Sequence, residues 1–254
     1  MFTVFVIGTA GSGKTTFIQS FSDFLETNEI YSIKVNLDPA VDYLPYSPDI
    51  DIRDYITAWD IMKKYNLGPN GAIIAAVDMT IKYLHEIKEG IEELQPGYVL
   101  VDTPGQLELF AFRQSGEEIV QTLRRERAAI IFMIDVILAL STQSLISSIL
   151  LAASVFYRFN LPMLILLNKI DLLNEKEIEE ILDIINNPEK LVSGVSGKKD
   201  ITVFHESIVS AVENFIKVFG CYPISAVKNQ GLDKVYISLQ QIYTGGEDFI
   251  YFAP

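Results

Sequence analysis

The chain has 254 residues, of which 49% are hydrophobic and 21% charged, with a formal net charge of −13 at pH 7. This length suits one large α/β domain with a sizeable core, expected to span residues 1–254, and the composition is globular rather than disordered. The acidic balance excludes sequence-independent nucleic-acid binding, which needs a basic footprint. A single cysteine, Cys221, excludes an internal disulfide and a thiolate metal cluster. Its simplest role is that of a small buried apolar residue.

The N-terminal apolar run lasts only from Phe2 to Ile7, too short for a targeting segment. It leads into Gly8-Thr-Ala-Gly11-Ser12-Gly13-Lys14-Thr15-Thr16 and then into a helical pattern reaching Phe21. Gly8, Gly13, Lys14 and Thr15 fill the G-x-x-x-x-G-K-[ST] spacing. In such a loop glycines let backbone N–H groups face phosphate oxygens, with the positive end of the next helix behind them. Lys14 supplies a point charge for the β- and γ-phosphates, the Thr15 hydroxyl a ligand for Mg²⁺, and Gly11, Ser12 and Thr16 complete the nucleotide cradle. The strand–loop–helix context argues against a glycine-rich turn that holds a lysine by chance.

A second strand pattern at 30–37 closes on Asn36-Leu-Asp38-Pro-Ala40, whose carboxylate either serves Mg²⁺ or the reacting water, or only opens an Asp-Pro turn. Tyr55, Trp59 and Met62 then mark a helix. Local chemistry reads Gly68-Pro69-Asn70 as a turn: Gly68 stops that helix, Pro69 prevents its continuation and Asn70 caps the next. Helical spacing at Leu84, Ile87, Ile91 and Leu94 precedes a strand at 98–102 that runs into Asp102-Thr-Pro-Gly105-Gln106. Alone, this is a turn signal. Behind a phosphate loop it places Asp102 on Mg²⁺, the Gly105 N–H near the γ-phosphate and Gln106 beside an attacking water.

Two apolar stretches, 128–140 and 161–167, fall short of a membrane span and read as holding strands, at 129–135 and 163–168, of a sheet covered on both faces. A cytoplasmic, membrane-free protein is therefore expected. The strand at 163–168 ends in Asn168-Lys169-Ile-Asp171, a guanine-recognition pattern. Asp171 would accept from the ring N1–H and 2-amino group, Asn168 would brace the loop and Lys169 would lie over the base. Adenine offers an acceptor at N1, and a buried carboxylate facing it would be left unpaired. Helical patterns follow at 178–185 and 204–219, separated by a loop at 186–200 that is placed to cover the base edge. The last strand, 220–225, ends in Ser225-Ala226, where the Ala226 N–H either meets the guanine carbonyl or belongs to an ordinary turn. Strands alternating with helices predict a doubly wound, mostly parallel sheet with helices on both faces and helical insertions.

Taken together, Gly8 to Thr15, Asn36 to Ala40, Asp51-Ile-Arg-Asp54, Gly68-Pro69-Asn70, Asp102 to Glu108, Asn168 to Asp171 and Ser225-Ala226 resemble the GPN-loop GTPases, which belong to the signal-recognition and MinD-like class of P-loop proteins. The resemblance implies a Mg²⁺-dependent GTPase that binds GTP and GDP. It also implies a homodimer in which the loop Gly68-Pro69-Asn70 reaches into the partner's nucleotide site. Asp102, Gln106 and Glu108 would place the hydrolytic water, with Asp38 near the metal, so Thr15, Asp38 and Asp102 form the metal set. Thr9 stands where the parent class often has a lysine, as in GPN-type members. Eukaryotic relatives are linked to assembly of RNA polymerase, which implies a protein client of that kind, while the ending at Pro254 resembles the short archaeal-type member. Two other readings stay open: a slow-turnover assembly factor that binds GTP for structure, and a small-molecule kinase.

Overall fold

In the computed structural model, residues 1–125, 127–187 and 199–244 are described. Seven parallel strands make one sheet: β1 (Phe2–Gly8), β2 (Ser32–Asn36), β3 (Ile50–Asp51), β4 (Tyr98–Asp102), β5 (Ala128–Asp135), β6 (Met163–Asn168) and β7 (Cys221–Ile224), in the order β3-β2-β4-β1-β5-β6-β7. β1, β4 and β6 are buried along their whole length, as their mostly apolar sequences require in a sheet packed on both faces, with Thr3, Asp102 and Asn168 the buried polar exceptions.

Alternate residues of β1 feed two cores. Phe2, Val4 and Val6 meet Phe17, Ile18, Phe21 and Leu25 of α1 (Lys14–Thr27), together with Leu232, Val235 and Leu239 of α11 (Leu232–Thr244). Phe5 and Ile7 face the larger core, which is covered by α2 (Ala58–Tyr65), α3 (Pro69–Met79), α4 (Leu84–Leu94), α6 (Gln114–Leu123), α8 (Thr142–Phe159), α9 (Glu175–Asn186) and α10 (Lys199–Phe219). Cys221 is buried and unbridged, and burial pushes its thiol up to about 12, so it behaves as an apolar filler.

From β1 the chain crosses to β2 on one side of the sheet, and after β4 it crosses to β5 on the other. A crevice therefore opens at the carboxyl ends of the central strands, where such sheets bind ligands. The register brings the chemistry to that edge: Asn36 pairs with Asp102, Val6 with Asp102, and Asp135 with Asn168.

Several local expectations change. Asn66, at φ 52°, ends α2 in the left-handed conformation, so Gly68 is not the stop. Gly68 is instead the N-cap of α3 and Pro69 its first residue, which leaves Asn70 one position inside the helix rather than capping it. Proline's fixed φ and missing N–H favour that first position. Within the apolar run at 128–140 the strand read at 129–135 stands, one residue longer at Ala128. At Asp135 the carboxylate accepts from the Ile137 N–H at 3.0 Å and starts the short helix α7 (Val136–Ala139). In α10 the buried stripe is Val209, Val212 and Ile216, with Phe204 exposed. Phe215 and Phe219 pack instead on Phe156 of α8. The two-residue β3 was too short to leave a pattern. The loop read at 186–200 lies, from 188 to 198, outside the described residues. Among the described residues no helix is long and apolar enough to cross a membrane.

Gly116 sets how closely α6 approaches α5 (Leu107–Phe110), because a Cβ there would stand 1.8 Å from the Phe110 carbonyl oxygen. Both elements are buried at this contact, so neither yields freely. Gly116→Ala is expected to destabilise the fold by about 1–3 kcal/mol through overpacking, measured as a lower urea midpoint; an unchanged midpoint would show that the α5–α6 contact relaxes at no cost.

Candidate nucleotide-binding site

The loop between β1 and α1 turns on Gly13, at φ 92°. A side chain there is excluded twice: by the left-handed backbone, and because its Cβ would lie 2.3 Å from Asn168 Nδ2. Lys14 is only 5% exposed, and its ammonium donates to the carbonyls of Gly8 (3.0 Å) and Thr9 (3.2 Å). Burial lowers its pKa, while Asp102 and Asp38 pull the other way. No acidic residue occupies the first turn of α1, so the positive pole of that helix stays open to an anion. Gly8 and Ser12 lie buried beneath the loop, and the Ser12 hydroxyl has no partner.

A cavity of about 380 Å³ opens over this loop, and Gly11, Gly13, Lys14, Thr15, Thr16, Asp38, Asp102, Gly105 and Lys169 all line it. Asp102, at the end of β4, is 2% exposed. Tyr46 donates its hydroxyl to Asp102 Oδ2 at 3.0 Å, and Oδ1 is buried without a partner. Burial pushes the Asp102 carboxyl up to about 6, against the nearby Thr15, Tyr46 and Lys14, which favour its charge. Asp38 is held by four contacts: its N–H donates to Asn36 Oδ1 (3.1 Å), its carbonyl accepts from Asn36 Nδ2 (3.4 Å), Oδ1 accepts from Ala40 N–H (2.9 Å), and Oδ2 accepts from Gly105 N–H (3.1 Å). The Gly105 N–H, expected near the γ-phosphate, is thus engaged by Asp38 across 67 residues.

These residues suit Mg²⁺. Thr15, with its hydroxyl, and the carboxylate residues Asp102 and Asp38 line one cavity, and Asp102 Oδ1 is buried without a partner. Among the described residues no three His, Cys, Asp or Glu side chains gather into a metal cage. Mg²⁺ does not need one, because it keeps several waters and shares substrate phosphates.

Lys169 and Thr16 also line a second recess of about 150 Å³, with Gly13, Asn168 and Asp171, so the two recesses share three residues. Lys169 sits at φ 76°, and its ammonium pairs with Asp135 at 2.6 Å, which holds its stem along the groove. Asp171 accepts a hydrogen bond from the Ser225 hydroxyl. Its carboxylate is exposed rather than buried, so a base must itself complete the desolvation on which discrimination rests. Asn168 donates to the Ser12 carbonyl (2.9 Å) and accepts from Ala226 N–H (3.0 Å). The donor expected to meet the guanine carbonyl is therefore used to position Asn168.

Gln106, Glu108 and Asn70 are exposed, and none lines the cavity. Leu107, Leu109 and Phe110 anchor α5 in the core, which turns Gln106 and Glu108 outward. Gly68, Pro69 and Asn70 project beside a neighbouring apolar groove between α2 and α3. That groove shares Val41 with the phosphate cavity.

A family model described as "conserved hypothetical ATP binding protein" matches residues 6–245. GPN-loop GTPase 2 of Saccharomyces cerevisiae is 34% identical over 270 residues, covering 99% of this chain and 76% of the relative. A GPN-loop GTPase of Pyrococcus abyssi is 37% identical over 182 residues, covering 70% and 71%. The chain belongs to the GPN-loop GTPase family.

Among solved structures, a GTPase in apo form from Pyrococcus abyssi superposes on this member of the family with a TM-score of 0.85 at 29% identity, covering 96% of this chain and 97% of that one. The chain spans 59% of GPN-loop GTPase 1 of Dictyostelium discoideum and 65% of its Schizosaccharomyces pombe counterpart, at 32% and 34% identity.

Three residues of this family member's site escaped sequence reasoning. Tyr46 lies in a stretch with no motif, so no signal marked it. Asn36 bridges the Asp38 backbone and Asp51 Oδ1 (2.8 Å), and that Asp51 carboxylate also holds Arg53. Burial opposes the Asp51 charge, yet its Arg53 and Asn36 bonds outweigh burial and lower its pKa. Asp135, a carboxylate at a strand end beside the base motif, carried a readable signal: the same placement that marked Asp102.

Because the folded-state pKa of Asp102 lies above the ordinary carboxyl value of 3.8, the folded state binds the proton more tightly than the unfolded chain. The resulting instability is full above about pH 6, fades as pH falls and is gone below about 4. Asp102→Asn is therefore expected to stabilise the metal-free protein at pH 8 by about 1–3 kcal/mol, with the gain shrinking between pH 6 and 4; thermal unfolding across that range checks it, and a gain independent of pH would contradict the assignment.

Proposed function

We propose that this chain binds GTP with Mg²⁺ and hydrolyses it to GDP and phosphate as a homodimeric switch. The observation that carries the reading is the continuity of the two recesses. Lys14 and Asp102 stand at one end, Asn168 and Asp171 at the other, and Gly13, Thr16 and Lys169 join them. A nucleoside triphosphate fits this order, with phosphates on the loop and base beside Asp171. The ATP in the family model's description and the GTP in the relatives' names differ. Asp171 favours guanine, because a carboxylate accepts from both N1–H and the 2-amino group, and adenine presents it with an acceptor.

Lys14 would leave its two carbonyl partners for the β- and γ-phosphates. Mg²⁺, when bound by Thr15, Asp102 and Asp38, supplies neutralisation of the phosphate charge. Release of the Gly105 N–H from Asp38 would offer a donor to the γ-phosphate and free the carboxylate to orient water. Hydrolysis would need Gln106 and Glu108 drawn toward the cavity, and Asn70 delivered by a second copy, on whose surface Gly68, Pro69 and Asn70 are exposed. No arginine lines the cavity among the described residues, so charge stabilisation rests on Lys14, backbone N–H groups and the metal.

The position of Gln106 and Glu108 outside the cavity also favours a second reading, a slow-turnover GTP-bound assembly factor with a protein client such as RNA polymerase. Gln106→Ala separates the two. The hydrolase reading expects phosphate release to fall by about 10²-fold or more with GTP affinity kept; equal near-background rates in both proteins support the assembly reading. Asp171→Asn is expected to lower the GTP-over-ATP affinity ratio by about 10–100-fold, and an unchanged ratio in competition binding removes Asp171 from base recognition. Mixing Asn70→Ala with Lys14→Ala protein tests action across the dimer. The mixed dimer is expected to regain one working site and so to turn over faster than either parent, and turnover no higher than the average of the two parents would exclude an inserted Asn70.

A further inference from the structure

We propose that Tyr46 is a positioning residue for Mg²⁺: its hydroxyl pins the Asp102 carboxylate so that a single fixed oxygen, Oδ1, is presented to the metal. The inference rests on the metal-dependent reading above and extends it to a residue outside every phosphate, metal and base motif.

Tyr46 lies in the segment that leaves β2 and returns to β3. That segment is tied at both ends. The Leu37 N–H donates to the Asp102 carbonyl (2.9 Å), and the Asp49 N–H donates to the Lys34 carbonyl (2.8 Å) while the Asp49 carboxylate accepts from the Lys34 N–H (2.7 Å). Between these ties the Arg53 guanidinium donates to the Val41 carbonyl (3.2 Å). The Tyr46 ring is 9% exposed and belongs, with Leu44, to the core that contains Phe17 and Phe21 of α1. Ring and backbone are therefore both held, which fixes the place of the hydroxyl.

A carboxylate at the end of an aspartate side chain has a soft terminal torsion, so its two oxygens are otherwise interchangeable. The 3.0 Å bond from Tyr46 to Oδ2 removes that equivalence. It leaves Oδ1 buried and unpartnered on a residue that lines the cavity with Thr15 and Asp38, the Thr15 hydroxyl lying close enough to favour the carboxylate's charge. An unpaired buried carboxylate oxygen is costly to leave unmade. Mg²⁺ demands near-ideal octahedral geometry, so a pre-set ligand or water acceptor gains more here than it would with a permissive cation. Groups that hold metal ligands in this way typically contribute about 10–100-fold in metal affinity. A tyrosine suits the task because its ring fills the core while its one proton must point at the carboxylate.

The variant Tyr46→Phe keeps the ring and deletes only the hydroxyl. Dissociation of a fluorescent guanine nucleotide, GDP labelled on the ribose, is measured in EDTA and across a Mg²⁺ titration. Equal release rates in EDTA are expected for wild type and Tyr46→Phe, with the Mg²⁺ concentration for half-maximal slowing raised about tenfold in the variant. Coincident Mg²⁺ titrations would overturn the proposal. So would faster release by the same factor with and without Mg²⁺, since that is the signature of a packing role. Tyr46→Leu, which also removes the ring, calibrates that second outcome: it is expected to accelerate release in both conditions and to lower Tm. If the wild type itself releases nucleotide at a rate indifferent to Mg²⁺, the metal reading of the whole site fails, a result distinguishable from failure of Tyr46 alone.

Discussion

The amide of Asn168 is the constraint on which the site depends. One side chain, buried at the end of β6, donates to the carbonyl of Ser12 and accepts from the N–H of Ala226, 156 and 58 residues away. It also closes the space beside Gly13 that any Cβ would need. The phosphate loop, the base motif and the last strand-end turn are therefore held in one geometry by a group with no freedom to serve elsewhere. An unmade bond here would strand buried polar atoms, a penalty larger than the net gain from making it. The Ala226 N–H is unavailable to a guanine carbonyl for the same reason: it positions the group that positions the loop.

Around that brace the site carries charge it can only partly satisfy. Lys14 is buried with carbonyls for partners, Asp102 is buried with one oxygen orphaned, and Ser12 has an unpaired hydroxyl. Burial depresses the ammonium and raises the carboxyl, so each is strained toward neutrality. An anion beside Lys14 and a cation beside Asp102 would relieve both, and a triphosphate with its metal would bring the two together. The surrounding hydrogen bonds are conservative by comparison. Asp38 is occupied by Gly105 and Ala40, Asp171 by Ser225, and Lys169 by Asp135. Ligand binding would therefore exchange partners rather than create order from nothing, and the Asp38–Gly105 bond is the exchange that joins the segment after β2 to the segment after β4.

Much of this was legible before any coordinates. Continuous apolar runs marked β1, β4, β5 and β6 because a strand buried on both faces admits nothing else, and the strand ends located the loop, Asp102 and Asn168. Where expectations failed, the competing choice was local and close in energy. Asn66 and Gly68 both tolerate a helix end, and the chain uses Asn66. In α10 both the pair Phe215 and Phe219 and the set Val209, Val212 and Ile216 keep helical spacing. The aliphatic set faces the sheet, since Phe215 and Phe219 find Phe156 on a neighbouring helix.

The sequence by itself located the phosphate loop, through the G-x-x-x-x-G-K-T spacing, and the base-recognition motif, through Asn168 to Asp171, because those patterns depend on residue types at short separations along one strand–loop–helix unit. Only the tertiary structure decided which groups meet across long separations. Tyr46 reaches Asp102 over 56 residues and Gly105 reaches Asp38 over 67. Neither contact leaves a periodic trace, since each arises from strand order and register rather than from local pattern. The same holds for Gln106, Glu108 and Asn70. Their motifs named them, but the anchoring of α5 by Leu107, Leu109 and Phe110 and the start of α3 at Pro69 place them on the surface, outside the cavity of their own chain.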